Sequence, residues 1–182
     1  MLKNLPKKVR MVEVGPRDGL QNEKSLVSLE DKITFIKKLK ASGIKEIEAT
    51  SFVRAEKIPQ MSDGKELTKR LLQDPELAGL KLISLVPNVR GMESALELGV
   101  KDIAVFTATS NTFNQKNTNA TIDDSLKRIE EVLTLARANG VRTRGYISTV
   151  YTAPISGGLN DYSAYYDGTF TPTDSDKFKL PD

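Results

Sequence analysis

The chain contains no cysteine and no histidine. The first absence excludes disulfides, zinc–thiolate sites and a cysteine nucleophile. The second removes the commonest general base and the commonest transition-metal ligand. Chemistry within these 182 residues therefore has to run on carboxylates, Arg, Lys, Tyr and hydroxyls. Long apolar runs are missing too, and none approaches the roughly 20 residues needed to span a bilayer. The basic start, Met1-Leu2-Lys3-Asn4-Leu5-Pro6-Lys7-Lys8, has no apolar stretch to serve as a signal peptide. These features predict a cytoplasmic protein without a membrane partner. A basic stripe is equally absent. The net charge is +3, and Lys37, Lys38 and Lys40 are interleaved with Glu30 and Asp31. That is how a solvated helix face looks, not a phosphate-backbone footprint, so nucleic acid is not an expected partner.

What is present is a repeated helix-to-strand join. Leu39-Lys40-Ala41-Ser42-Gly43-Ile44-Lys45-Glu46-Ile47 is echoed by Leu96-Glu97-Leu98-Gly99-Val100-Lys101-Asp102-Ile103 and by Ala136-Arg137-Ala138-Asn139-Gly140-Val141-Arg142. Each copy ends an amphipathic helix at a Gly, which can take the left-handed conformation that closes a helix. Each then enters a strand through a β-branched residue and a cation. Ser28 stands three residues before Asp31, and Thr121 three before Asp124, both in the manner of N-terminal capping boxes. Apolar residues then recur at helical spacing, as in Ile33, Ile36 and Leu39, and in Leu126, Ile129, Val132, Leu133 and Ala136. Two further helices are expected over about 63–72 and 91–98.

Strands are expected near 10–14, 46–49, 81–86, 102–107 and 142–148. About five strands alternating with four helices imply a parallel sheet with right-handed crossovers, either a TIM-like barrel or an open doubly wound sheet. Polar residues gather at the carboxyl ends of all five: Arg17 and Asp18, Glu48 and Ser51, Asn88, Thr109 and Ser110, and Ser148. Barrel enzymes build their active sites there. Neither G-x-G-x-x-G nor G-x-x-x-x-G-K-[ST] follows the first strand, so the usual nucleotide-binding signals are missing. The expected fold is α/β, an incomplete TIM-like (β/α) barrel with outer helices over 1–150. Over 151–182 the periodicity is lost. From residue 152 the chain is rich in Gly, Ser, Thr, Asp and Tyr, with two Leu and one Ile. An irregular or poorly ordered tail is expected there, with a small docked segment as the alternative.

The densest run of reactive groups is Glu13-Val14-Gly15-Pro16-Arg17-Asp18-Gly19-Leu20-Gln21-Asn22-Glu23. A strand meets a Gly-Pro turn, and an adjacent Arg and Asp stand at its end. An aspartate in such a place is a hard oxygen donor suited to Mg²⁺ or Mn²⁺. An Arg beside it can stabilise a developing oxyanion. An Arg–Asp surface pair that merely caps the turn fits the residues equally well.

The run from Val12 to Glu23 resembles the N-terminal signature of hydroxymethylglutaryl-CoA lyases, which belong to a TIM-barrel metallolyase superfamily that also holds Claisen-type synthases. The synthases share a shorter R-D-G-x-Q core, whereas the longer G-P-R-D-G-L-Q-N-E string resembles the lyase branch. Further matching runs follow in order: Ile47-Glu48-Ala49-Thr50-Ser51-Phe52-Val53, Ile58-Pro59-Gln60-Met61, Leu85-Val86-Pro87-Asn88, Lys116-Asn117-Thr118-Asn119 and Arg144-Gly145-Tyr146-Ile147-Ser148. The resemblance implies a metal-assisted retro-Claisen cleavage of a 3-hydroxy-3-methylglutaryl-CoA-like thioester to acetoacetate and acetyl-CoA. It implies Asp18 as a ligand of Mg²⁺ or Mn²⁺, Arg17 steadying the enolate oxygen, and Glu48 as an acid/base or metal-water partner. It also implies Gln21, Ser51 and Tyr146 lining the substrate pocket, with Asn117 and Lys116 near the acyl-CoA. For Glu48 a plain inward carboxylate paired with Arg or Lys is the alternative. For Tyr146 it is packing, and for Ser51 a turn cap.

The family completes its metal shell with a His-x-His pair and an Asn on later strands, and places a Cys in a glycine-rich loop. This chain has neither His nor Cys, and after Ser148-Thr149-Val150 it reads Tyr151-Thr152-Ala153-Pro154 where the family runs into Gly-Cys-Pro-Tyr. A truncated product with an incomplete metal site is the expectation. Five strands cannot close a barrel, and an open half exposes edge strands that invite self-association. A catalytically inactive half-barrel that binds acyl-CoA or a partner chain is therefore the alternative to an active lyase.

Overall fold

The structure, a computed structural model, describes residues 9–149, so the expected irregular tail at 151–182 lies outside the described residues. Four strands, β1 (Glu46–Ser51), β2 (Lys81–Leu85), β3 (Asp102–Ala108) and β4 (Arg142–Ser148), form one sheet in the order β1-β2-β3-β4. The β1–β2 and β2–β3 pairs are parallel. Helices α1 (Leu29–Ala41), α2 (Gly64–Gln73), α3 (Val89–Glu97), α4 (Asn111–Thr118) and α5 (Ile122–Ala138) fill the connections. The expected strand at 10–14 is reduced to a single parallel bridge, Glu13 with Ile47. It is closed by Glu13 N–H to Glu46 O at 2.9 Å and Glu48 N–H to Glu13 O at 2.8 Å. Its flanks explain the shortening. Val9 and Met11 are exposed, and the chain bends into the Gly-Pro turn directly after Val14.

The threefold join in the sequence is a threefold helix stop in space. Gly43, Gly99 and Gly140 have φ of 99°, 77° and 63°. After each, the N–H of the β-branched residue reaches back to a carbonyl five residues earlier: Ile44 to Leu39 at 3.3 Å, Val100 to Ala95 at 3.0 Å and Val141 to Ala136 at 2.9 Å. This Schellman closure satisfies carbonyls the helix end would leave bare. Both capping boxes form as well, with Asp31 N–H to Ser28 Oγ and Asp124 N–H to Thr121 Oγ1 each at 3.1 Å.

The described residues divide into two compact units, one taking residues up to 105 with 130–144, the other 106–129 with 145 onward. In the first, Ile33 and Ile36 of α1 and Leu67 and Leu71 of α2 pack on Ile47 and Ala49 of β1. Burying each of these Ile and Leu side chains supplies about 1.5–3 kcal/mol. In the second, α4 was not legible in the sequence because it has almost no apolar periodicity. Polar bonds hold it instead. The buried Asn114 amide donates to Ser125 Oγ at 3.0 Å and to Thr107 Oγ1 at 3.3 Å.

Candidate active site

The Arg17–Asp18 pair is placed by a turn of π-helical type over Gly15–Gly19. One carbonyl, Val14 O, accepts from Arg17 N at 3.1 Å, Asp18 N at 2.7 Å and Gly19 N at 3.4 Å. Wide turns of this kind are rare and recur at functional sites. Pro16 suits the start because it has no N–H to lose there. At Gly15 a Cβ would stand 2.8 Å from Glu13 Oε1, the oxygen that accepts from Gly15 N at 2.6 Å, so a larger residue would push that carboxylate off its hydrogen bond. Sequence reasoning gave Glu13 no role, although an acid two residues before a glycine was there to be read. It both bridges to β1 and fastens the turn.

Arg17 turns inward. Its Nε donates to Glu48 Oε1, and its Nη1 donates to Asp18 Oδ1 at 2.7 Å and to Gln21 Oε1 at 3.5 Å. The side chains grade from fully buried Glu48, through Arg17 at 12% exposure, to Asp18 at 60%. A buried carboxylate thus anchors a guanidinium whose far side meets an open one. The planar fork of the guanidinium matches carboxylate geometry. Glu48 is thus an inward carboxylate paired with an Arg, the plainer of the two readings offered for it.

Ser51 ends β1 behind a bulge. The register steps from Glu48 opposite Ile83 to Thr50 opposite Ser84, so Ala49 is an extra residue. Ala49 packs with the helices, and Thr50 Oγ1 sits 3.8 Å from Met61 Sδ on the same side. Alternation then returns Ser51 to the face of Glu48. Its Oγ is buried and, among the described residues, has no hydrogen-bond partner, so it caps no turn there. An orphaned buried hydroxyl costs about 1–3 kcal/mol and is the kind of group a bound ligand would satisfy.

The turn, β1 and their contacts therefore bring together Arg17, Asp18, Gln21 and Glu48, with Ser51 on the same strand. Asn117 and Tyr146 belong to the second unit, Asn117 on α4 with its Nδ2 donating to Phe113 O at 2.9 Å, and Tyr146 on β4. Two other strand-end polar residues serve as helix caps: Asn88 Oδ1 accepts from Gly91 N at 3.0 Å, and Ser110 Oγ from Phe113 N at 3.2 Å. Among the described residues no group of three or more Asp, Glu, His or Cys is placed to hold a metal ion. Asp18 is the exposed carboxylate at the site.

The model of the HMGL-like family matches residues 8–163. The chain belongs to the HMGL-like family. A 3-hydroxy-3-isohexenylglutaryl-CoA/hydroxymethylglutaryl-CoA lyase of Pseudomonas aeruginosa is 49% identical over 157 residues, 86% of this chain and 51% of that protein. The solved HMG-CoA lyase of Bacillus subtilis superposes with a TM-score of 0.77 at 38% identity, covering 91% of this chain and 56% of that one. An HMG-CoA lyase of Acinetobacter baumannii, solved with coenzyme A and 3-methylmalate, gives 0.73 at 28% identity, over 84% and 50%. This HMGL-like chain thus spans about half the length of the relatives it matches. No helix among its described residues is long and apolar enough to cross a membrane. Its four-stranded parallel sheet is a partial barrel of the HMG-CoA lyase kind.

Proposed function

We propose that this HMGL-like chain carries the opening half of a carbon–carbon lyase site for a 3-hydroxy-3-methylglutaryl-CoA-like thioester, yielding acetoacetate and acetyl-CoA in a cytoplasmic setting. The observation that carries the reading is the guanidinium of Arg17 held between buried Glu48 and open Asp18 at the carboxyl end of the sheet. The lyase names of the relatives and the coenzyme A in one solved neighbour support the substrate class.

Asp18 fits a hard divalent cation as one oxygen ligand, since its carboxylate is exposed and only Oδ1 is engaged by Arg17. Mg²⁺ or Mn²⁺ held there would lower the pKa of the substrate's tertiary hydroxyl and orient the bond to be cleaved. With one carboxylate and no group of three, the rest of the shell must come from water, substrate or residues outside those described. Arg17 Nη2 takes no part in the contacts to Glu48, Asp18 and Gln21. It is the donor left to face the enolate oxygen as charge develops, where stabilisation raises the rate most. Glu48 fixes the guanidinium plane and serves as the acid/base or water-orienting carboxylate. Gln21 orients the opposite edge of Arg17, and Ser51 offers its unfilled hydroxyl to substrate. Tyr146 and Asn117 complete the proposal as substrate contacts, Asn117 toward the acyl-CoA.

The test is metal-dependent release of acetoacetate from the thioester by the full chain, beside Mn²⁺ binding followed by electron paramagnetic resonance. Asp18→Asn is expected to weaken Mn²⁺ binding, and Arg17→Gln to remove release by about a thousandfold while leaving Mn²⁺ bound. A second reading, a non-catalytic half-barrel that binds acyl-CoA or another chain, is favoured by the absence of any histidine for the family's ligand pair. Coenzyme A binding without release, even with the later half of a relative supplied, would select it.

A further inference from the structure

The run Ile58-Pro59-Gln60-Met61 has no part in the site described above, yet Gln60 is 3% exposed and makes two hydrogen bonds through its side chain. Its Oε1 accepts from Val27 N at 2.9 Å, and its Nε2 donates to Ser25 O at 3.0 Å. A carboxamide used this way copies what a neighbouring strand would offer a backbone. The backbone it holds is the loop directly after Gln21, whose residues 22–26 are exposed, Leu26 at 70%. Gln60 is itself fastened. Lys32 is 2% exposed, donates its Nζ to Gln60 O, and meets Asp63 Oδ1 and Oδ2 at 2.8 and 2.9 Å. A buried ion pair adds little net stability over apolar residues of the same volume. What it does supply is a fixed point for the carbonyl of Gln60.

We infer that Gln60 is a positioning residue for the Arg17–Asp18–Gln21 turn: its amide clamps the loop that leaves the turn, and the Lys32–Asp63 pair holds the clamp. The turn is tied to β1 through the Glu13 bridge and the Arg17–Glu48 contact. On its other side the chain runs from Gln21 to the helix cap at Ser28, and the Gln60 side chain ties this exposed stretch to the Pro59–Met61 turn that follows β1. Loosening it gives the turn the freedom of a loop end. The inference rests on the reading of that turn as the catalytic one, and its test does not.

Gln60→Met keeps the volume and removes both hydrogen bonds. In the full chain it is expected to speed tryptic cleavage after Lys24 about tenfold, and amide exchange of Arg17 and Asp18 by a similar factor. Exchange within β2 stays unchanged, which separates the effect from general unfolding. Gln60→Glu retains the acceptor for Val27 but turns a carboxylate oxygen toward Ser25 O, so its exchange should also rise above that of the unaltered chain, giving a second variant if the first folds poorly. Mn²⁺ affinity should weaken in Gln60→Met by about threefold to tenfold. Faster cleavage at Lys24 with unaltered exchange at Arg17 and Asp18 would overturn the inference, and so would no change at either. If Asp18→Asn leaves Mn²⁺ binding untouched, the metal reading fails on its own and the exchange result still decides the clamp.

Discussion

Arg17 joins a carboxylate that water never reaches to one that faces water, and the two contacts are unequal in energy. The pair with Asp18 is exposed and contributes little. The pair with Glu48 is closed off, with that side chain fully buried. Removing the guanidinium takes away a cation bonded to the buried Glu48 carboxylate, so Arg17→Met is expected to destabilise the chain by about 3 kcal/mol. Arg17→Met combined with Glu48→Leu should recover part of that loss, because the buried carboxylate goes with its cation. Urea denaturation of the single and double variants checks this, and a double variant as unstable as the single one would assign the loss to packing rather than to charge. At this scale much of the site was legible. The string from Val12 to Glu23 and the run at Ile47–Val53 put Arg17, Asp18, Glu48 and Ser51 on paper. Their inequality was not legible, because burial is set by β1 packing under α1 and α2, and the bulge that re-aims Ser51 leaves no mark in the sequence.

At the scale of elements, local chemistry was readable wherever one residue type does the work. The Gly43, Gly99 and Gly140 stops and the Ser28 and Thr121 caps all formed as the sequence requires. Elements that depend on partners far along the chain were less so. The strand expected at 10–14 needs a neighbour over its whole length and finds it at Glu13 alone, and α4 is held by Asn114 against residues of β3 and α5. Surface contacts between elements carry a pH signature. Lys37 of α1 meets Asp74, just past α2, at 2.8 Å, and Glu76 at 3.2 Å. The hydrogen bond from Lys37 is the largest influence on Asp74 and holds its carboxyl below the usual 3.8, against the opposing effect of desolvation. A carboxyl lowered by folding contributes stability that is present above its unfolded value and fades as pH falls through its folded one. Lys37, raised chiefly by its hydrogen bond to Asp74, loses its share only at strongly alkaline pH. Lys37→Met should therefore lower the urea midpoint at pH 6, and the gap from the unaltered chain should close as pH falls below the ordinary carboxyl range and through the lowered value of Asp74. A gap that persists at pH 2 would assign the effect to the methylene stem of Lys37 rather than to its charge.

At the scale of the whole molecule the decisive fact is a ratio. The chain spans about half of the Pseudomonas aeruginosa and Bacillus subtilis relatives, and the sheet of its described residues has four strands laid side by side in chain order. A closed barrel of this class has eight strands and no edge. Among the described residues β1 meets on one side only the single bridge at Glu13, and no strand pairs with the outer side of β4. β4 is also less covered than the other strands. Its residues alternate between exposed and half-buried, and Ile147 is 42% exposed. A strand edge with an aliphatic face next to it invites pairing with another chain. Self-association is therefore expected, growing with concentration over the micromolar range and visible as faster-sedimenting species by analytical ultracentrifugation. Ile147→Lys places a charge beside that edge, the device by which natural edges are blunted. It should shift the distribution toward monomer while leaving far-ultraviolet circular dichroism unchanged. A single monomeric boundary for the unaltered chain at every concentration would mean that the outer side of β4 is already covered from within the same chain.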